Sequence, residues 1–142
     1  MSRSLSFYTC RSAADTKFST SSFTTVVNQV VHASIFAEPE LKNKIGSLIK
    51  NDVFENGILN LPSYKNVGTC TYFLPEGTIT VFNTNTKCVK TPDGTFVLPP
   101  KETSLFEIVS GTGDFLKAKG SVFRAPLEIK TNTRKITITF DD

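Results

Sequence analysis

Ile136, Ile138 and Phe140 alternate with Lys135, Thr137 and Thr139. A period of two sends one set of side chains to each face of an extended strand. A strand with one apolar face must bury it against other elements, and the same demand recurs along this chain. In FTTVVNQVVHASIF, residues 23–36, Val26, Val27, Val30, Val31, Ile35 and Phe36 are interleaved with polar residues. Val27, Val30, Val31 and Ser34 also fit helical spacing, but β-branching favours a strand. IGSLIKNDVFENG is a second strand region, ending at the turn pair Asn56-Gly57. GTCTYFLPEGTITVFN reads as a hairpin, with TCTYFL and TITVFN around Pro75-Glu76-Gly77. SLFEIV, FLKAKGSVFR and LEIKTNTRKITITF supply further strands.

The connections carry turn chemistry. AEPELKNK contains Pro39, and ILNLPSYKN is a loop or a short strand broken by Pro62. TNTKCVKTPDGTFVLPPKE reads as a polar excursion. Its Pro92-Asp93-Gly94 is a turn, and Pro99-Pro100 forces extended backbone. In DFLKAKGSVF, Leu116, Ala118, Gly120 and Val122 fall on one face, and Phe115, Lys117, Lys119, Ser121 and Phe123 on the other. A face of small residues suits the tapering interior of a small barrel. That reading turns Phe115 and Phe123 outward. Seven or eight short strands with frequent turn signals predict an all-β fold, a small antiparallel β-barrel of about eight strands. Residues 1–22 read as a Ser/Thr-rich N-terminal arm or tail, and residues 23–142 as the barrel domain. Within the arm, SLSFYT is suited to adding a strand to a sheet edge, its own or a neighbour's.

The glycine-rich GTG at 111–113 is not a phosphate loop. Asp114 follows Gly113 where the Walker pattern needs Lys, and Leu116 stands where a dinucleotide fingerprint needs its third Gly. A β-turn between two strands is the simpler reading. The net charge of +3 is modest, and Lys and Arg are scattered through LKNK, FLKAKG and TRK. Nucleic-acid binding calls for a basic cluster on one face, so this distribution argues against it. Three cysteines, Cys10, Cys70 and Cys88, at irregular spacing argue against a disulfide framework. One His and three scattered Cys do not make a zinc site, and no metal or cofactor is expected. His32 reads as a residue on a strand face, with no nucleophile or carboxylate motif to work with. The opening residues hold no apolar run of signal-peptide length, and no stretch approaches a spanning helix. A soluble, cytoplasmic or otherwise intracellular protein is expected.

GTCTYFLPEGTITVFN, then SLFEIVSGTGDFLKAKGSV and a terminal ITITF, resembles the allene oxide cyclase barrel-like superfamily, which includes dirigent proteins. The shared features are Gly77 to Val81 as a Gly-led strand, Ser110 to Gly113 as a glycine hairpin, and Phe115, Ala118, Lys119 and Gly120 after it. The likeness covers roughly residues 64–140, and KNDVFENG faintly resembles the family's second strand. It implies an eight-stranded antiparallel barrel, often a trimer, enclosing a small apolar ligand. Catalysis in such barrels is largely a matter of positioning.

The resemblance sets Asn51 where a cyclase asparagine holds a water, Cys70 at a pocket cysteine, and Glu102 at an acidic residue before the glycine hairpin. Lys101 stands where the cyclase has Tyr. The first strand offers Gln29 and His32 but no glutamate, and the dirigent acidic pair has no clear counterpart. These departures favour a non-enzymatic barrel, a self-assembling structural or binding module that forms a trimer or dimer. The alternative is an isomerase-type or radical-steering protein holding a small apolar ligand. The resemblance makes Asn51 and Glu102 the catalytic candidates on the enzyme reading and Cys70 the ligand-binding candidate.

Overall fold

The computed structural model describes residues 3–10, 15–20, 27–55, 64–90, 96–97, 104–127 and 133–141. Within them the chain forms ten strands: β1 Arg3–Cys10, β2 Asp15–Thr20, β3 Val27–Phe36, β4 Lys44–Glu55, β5 Tyr64–Leu74, β6 Gly77–Lys90, β7 Phe96–Val97, β8 Ser104–Gly111, β9 Gly120–Pro126 and β10 Thr133–Phe140. A 3-10 turn, Gly113–Phe115, separates β8 from β9. Every strand pairing is antiparallel. β3, β4, β5 and β6 form a meander that continues through β8, β9 and β10 to β1. β1 then meets β3 at Tyr8–Phe36 and Thr9–Ile35. That last pairing closes an eight-stranded barrel. β2 takes the position of β1 further along the same strand, pairing Asp15 with His32 through to Thr20 with Val27.

Residues 3–10 are therefore part of the wall. SLSFYT adds to a sheet edge within its own barrel, lying in register against β10 from Arg3–Phe140 to Cys10–Thr133. The 23–36 run is a strand from Val27 onward, as its β-branching predicts, and the hairpin around Pro75-Glu76 pairs Leu74 with Gly77. Two expectations fail. TNTKCVK is not an excursion, because β6 runs on through Lys90 and β7 pairs with it at Val89 and Lys90. DFLKAKGSVF is not one strand, because the 3-10 turn interrupts it and β9 starts only at Gly120. Asn56-Gly57, Pro62, the Pro92-Asp93-Gly94 turn and Pro99-Pro100 lie outside the described residues.

The turn resets the phase of the following side chains. Phe115 is buried, Leu116 is 67% exposed, and Val122 returns to the core. Phe115 stacks on Phe140 with ring centroids 5.7 Å apart and planes 1° apart. The Arg3 guanidinium sits 4.5 Å from the centroid of the same Phe140 ring, a cation–π contact. Phe115 thus caps one end of the barrel. Gly113 makes the cap possible. Its φ of 61° lies in the left-handed region, and a Cβ there would run into the Glu76 carbonyl oxygen. Asp114 N–H donates to that carbonyl at 2.9 Å, and Thr112 N–H to Thr78 O at 3.0 Å. So the GTG is a turn, docked on the β5–β6 hairpin. At the same end, Glu38 fastens the β3–β4 turn. Its Oε1 accepts from Lys42 N–H at 2.5 Å and Asn43 N–H at 2.9 Å, which holds its carboxyl below the usual range.

The apolar core fills the adjoining part of the lumen. Phe7, Ile35, Leu48, Tyr72, Ile79, Val81, Phe106, Val122, Ile136 and Ile138 form one cluster with Phe115 and Phe140. Phe115→Ala should cost about 3–5 kcal/mol of stability in urea denaturation, the usual range for a buried Phe. Leu116→Ala should stay within about 0.5 kcal/mol, as for an exposed residue. A larger loss at Leu116 than at Phe115 would show that the turn does not reset the phase.

Candidate functional site

Inward parity continues beyond the apolar cluster, but the residue types change. On β4, Leu48, Lys50, Asp52 and Phe54 share a parity, and the register pairs them with Ala33, Val31, Gln29 and Val27 of β3. On the other side Lys50 faces Cys70 and Asp52 faces Gly68 of β5. Cys70 in turn faces Val81 of β6. Across the lumen, Arg124 on β9 belongs to the inner face with Val122. The inner wall therefore passes from an all-apolar plug to Gln29, Lys50, Asp52, Cys70 and Arg124.

Asp52 is the most constrained of these. Its side chain has no solvent exposure, and Lys50 Nζ lies 3.1 Å from its Oδ2. The ammonium approaches outside hydrogen-bond geometry, so among the described residues neither carboxylate oxygen has a hydrogen-bond partner. A buried carboxylate without hydrogen bonds is costly and depends heavily on its counter-ion. Gly68 provides the space it occupies: a Cβ there would run into Asp52 Oδ1 and the Asn51 carbonyl. Gln29 is also buried on the adjacent strand.

Cys70 and Tyr72 sit deeper. Tyr72 donates to the Cys70 sulfur, and its ring meets Phe7 edge-on at 5.2 Å and 60°. Burial pushes the Cys70 thiol up to about 11, against the opposing pull of Lys50 and Arg124. Burial also holds the Tyr72 hydroxyl well above its ordinary value. Both groups are therefore protonated near neutrality. Cys70 is an unreactive thiol and Tyr72 a hydrogen-bond donor. Arg124 places its guanidinium 5.3 Å from the Phe106 ring centroid.

Of the residues singled out in the sequence, Cys70 is on the inner wall. Asn51 is exposed on the outside of β4, between the inward Lys50 and Asp52. Glu102 lies outside the described residues. Gln29 is inside and His32 outside. His32 borders an open groove of about 410 Å3 with Asp15, Lys44 and Phe73. Lys50, Asp52 and Arg124 escaped sequence reading. The signal was present in KND, since residues two apart on a strand share a face and that face is inward at Leu48 and Phe54.

No protein-family model matches the chain, and no curated protein does. Among solved structures, a pyocyanin demethylase superposes with a TM-score of 0.66 at 11% identity, covering 98% of this chain and 100% of that one. The pterocarpan synthase dirigent protein GePTS1 gives 0.58 at 13% identity, covering 99% and 86%. The pterocarpan synthase dirigent protein PsPTS1 gives 0.57 at 13% identity, covering 99% and 93%. At these identities the likeness is one of fold: the chain shares with these structures an eight-stranded antiparallel β-barrel.

The buried thiol makes a pH prediction. Its folded pKa of about 11 lies above the ordinary 9.0, so the stability it contributes is complete below pH 9 and is lost as pH rises towards 11. The loss is on the order of 2–3 kcal/mol. Denaturation of wild type and Cys70→Ala between pH 8 and 11 should show the variant's stability falling less steeply. Parallel slopes would place the thiol in water. In register Cys70 faces Val81 while Cys88 faces Tyr64, so the two cysteines lie roughly 20 Å apart along β6. No disulfide spans that distance.

Proposed function

We propose that the protein is a non-enzymatic binding barrel that holds a small ligand in the polar part of its lumen. The observation that carries this reading is the placement of Lys50, Asp52 and Arg124 on the inner wall beside the apolar plug. A barrel with a purely structural role is more stable with its lumen filled by apolar side chains, because burying an ion pair costs desolvation. The two surfaces complement each other as ligand sites usually do, with an apolar floor and a few placed polar groups. Solved structures with this fold carry names of reactions, a demethylase and two pterocarpan synthases, which supports an occupied lumen.

The second reading is a positioning enzyme, isomerase-type or radical-steering. The Tyr72 hydroxyl favours it, being a protonated donor inside the lumen. A thermal-shift screen against apolar, acidic and basic small molecules tests both. A binding ligand raises the melting temperature by mass action, about 2.7 kcal/mol of stabilisation at 100 times its Kd. A ligand recovered unchanged supports the binding reading, and one converted by wild type but not by Tyr72→Phe supports the enzyme. A folded protein stabilised by none of the panel would overturn both.

We place self-association on the outer face of β5, β6, β8 and β9. Val67, Phe82, Val109 and Phe123 are each at least 42% exposed there. Phe82 faces Thr69 and Glu107 across its neighbouring strands, which puts Val67 and Val109 on its diagonals. A clustered apolar face of this kind marks an interaction surface. Phe115, expected outward beside Phe123, is in the core and takes no part. Light scattering should show wild type as a dimer or trimer and Phe82→Ser/Phe123→Ser as a smaller species. A wild type that stays monomeric at high concentration would remove the self-assembly half of the reading.

A further inference from the structure

Among the described inner-wall residues around Asp52 the charges do not balance, and the excess has a sign. Lys50 and Arg124 are cationic, and Asp52 is the one carboxylate that the described inner wall sets beside them. Arg134, further along β10, is engaged in an interaction of its own and is left out of this balance. Asp52 is also not offered to a ligand. Its carboxylate is fully enclosed, with Gly68 against Oδ1 and Lys50 at Oδ2. What reaches the lumen is the Lys50 side chain, 18% exposed, and the partly exposed Arg124, whose guanidinium faces the Phe106 ring. Asp52 therefore neutralises one cation from behind, and about one positive charge is left facing an apolar floor of Phe7, Tyr72 and Phe106.

Resting on the binding reading above, we infer that the lumen selects a ligand with a single anionic group on an apolar, ring-sized body. The anion, a carboxylate, sulfonate or phenolate, lies between Lys50 and Arg124. The body packs towards Phe106, the least buried ring of the apolar floor, while the Tyr72 hydroxyl keeps donating to the Cys70 sulfur. Charge-assisted hydrogen bonds in a water-poor site are worth more than neutral ones, so the anion sets selectivity. A polyphosphate is disfavoured, since one uncompensated cation cannot match several negative charges.

Two fluorescent probes share one ring framework and differ by a sulfonate: 1-anilinonaphthalene-8-sulfonate and N-phenyl-1-naphthylamine. The sulfonate should bind wild type about tenfold tighter than the neutral amine, roughly 1.4 kcal/mol. Arg124→Met, which keeps an apolar stem, should reduce that preference to about twofold or less and leave the amine's affinity unchanged. Both titrations are repeated in the Phe82→Ser/Phe123→Ser background, where the preference should persist. Competition of 2-naphthoate and 2-naphthalenemethanol against bound sulfonate gives the same comparison in wild type, should Arg124→Met not fold. Equal affinities in wild type, a preference that survives Arg124→Met, or one that vanishes with the outer phenylalanines would each overturn the anion selectivity while the binding reading stands. Failure of both probes and both competitors to bind would instead overturn the binding reading beneath it.

Discussion

Two residue pairs, Tyr8–Phe36 and Thr9–Ile35, close the ring. Without them the strands form an open sheet, and there is no inside for the core or the charged groups to face. The short contact is supported from its other side by eight registered pairs between β1 and β10. Leu5 and Phe7 add apolar weight by packing on the central cluster. Closure removes exposed strand edges, which are the usual route to edge-on aggregation. It also makes one side of every strand a dry interior, so each inward side chain must be apolar or have a partner.

That requirement explains how the lumen is divided. Near Phe115 the inward residues are large and apolar, and packing alone satisfies them. Further along, Gly68 removes a side chain and Asp52 occupies the space. Lys50 then supplies the counter-charge from the same strand. Cys70 and Tyr72 sit at the boundary, polar enough to bond to each other and buried enough to stay protonated. A few residue choices on two adjacent strands thus turn a packed core into a wall that carries charge.

Much of this was legible in the residues. The alternation in KITITF survives intact in β10, where Ile136, Ile138 and Phe140 are buried and Lys135 and Thr139 exposed. β-branching correctly decided 27–36 against helical spacing. The failures share a physical cause, since a two-residue period holds only while the backbone stays extended. One 3-10 turn moved Phe115 from the predicted outside to the core. TNTKCVK carries so little apolar signal that its pairing with β5 and β7 could not be read. On the inner wall, Cys70 was singled out by resemblance and Lys50 and Asp52 were not. Charged residues in a strand read as solvated until the pairing shows which face is enclosed.

The pairing of β1 with β10 also has a consequence for synthesis. Phe7 sits opposite Ile136, more than 120 residues later in the chain. At about 5–20 residues per second, the first strand emerges roughly 6–26 s before the residues that cover it exist. During that interval β3 to β6 can already pair as a local meander, whereas the ring cannot close. Newly made chains at high density in a cell would meet each other with the end of that β3 edge beyond β2, at Ile35 and Phe36, unclaimed. A β1 segment from one chain fits the edge of another as well as its own. For this fold the hazardous moment is the wait before closure, and the speed of translation sets how long it lasts.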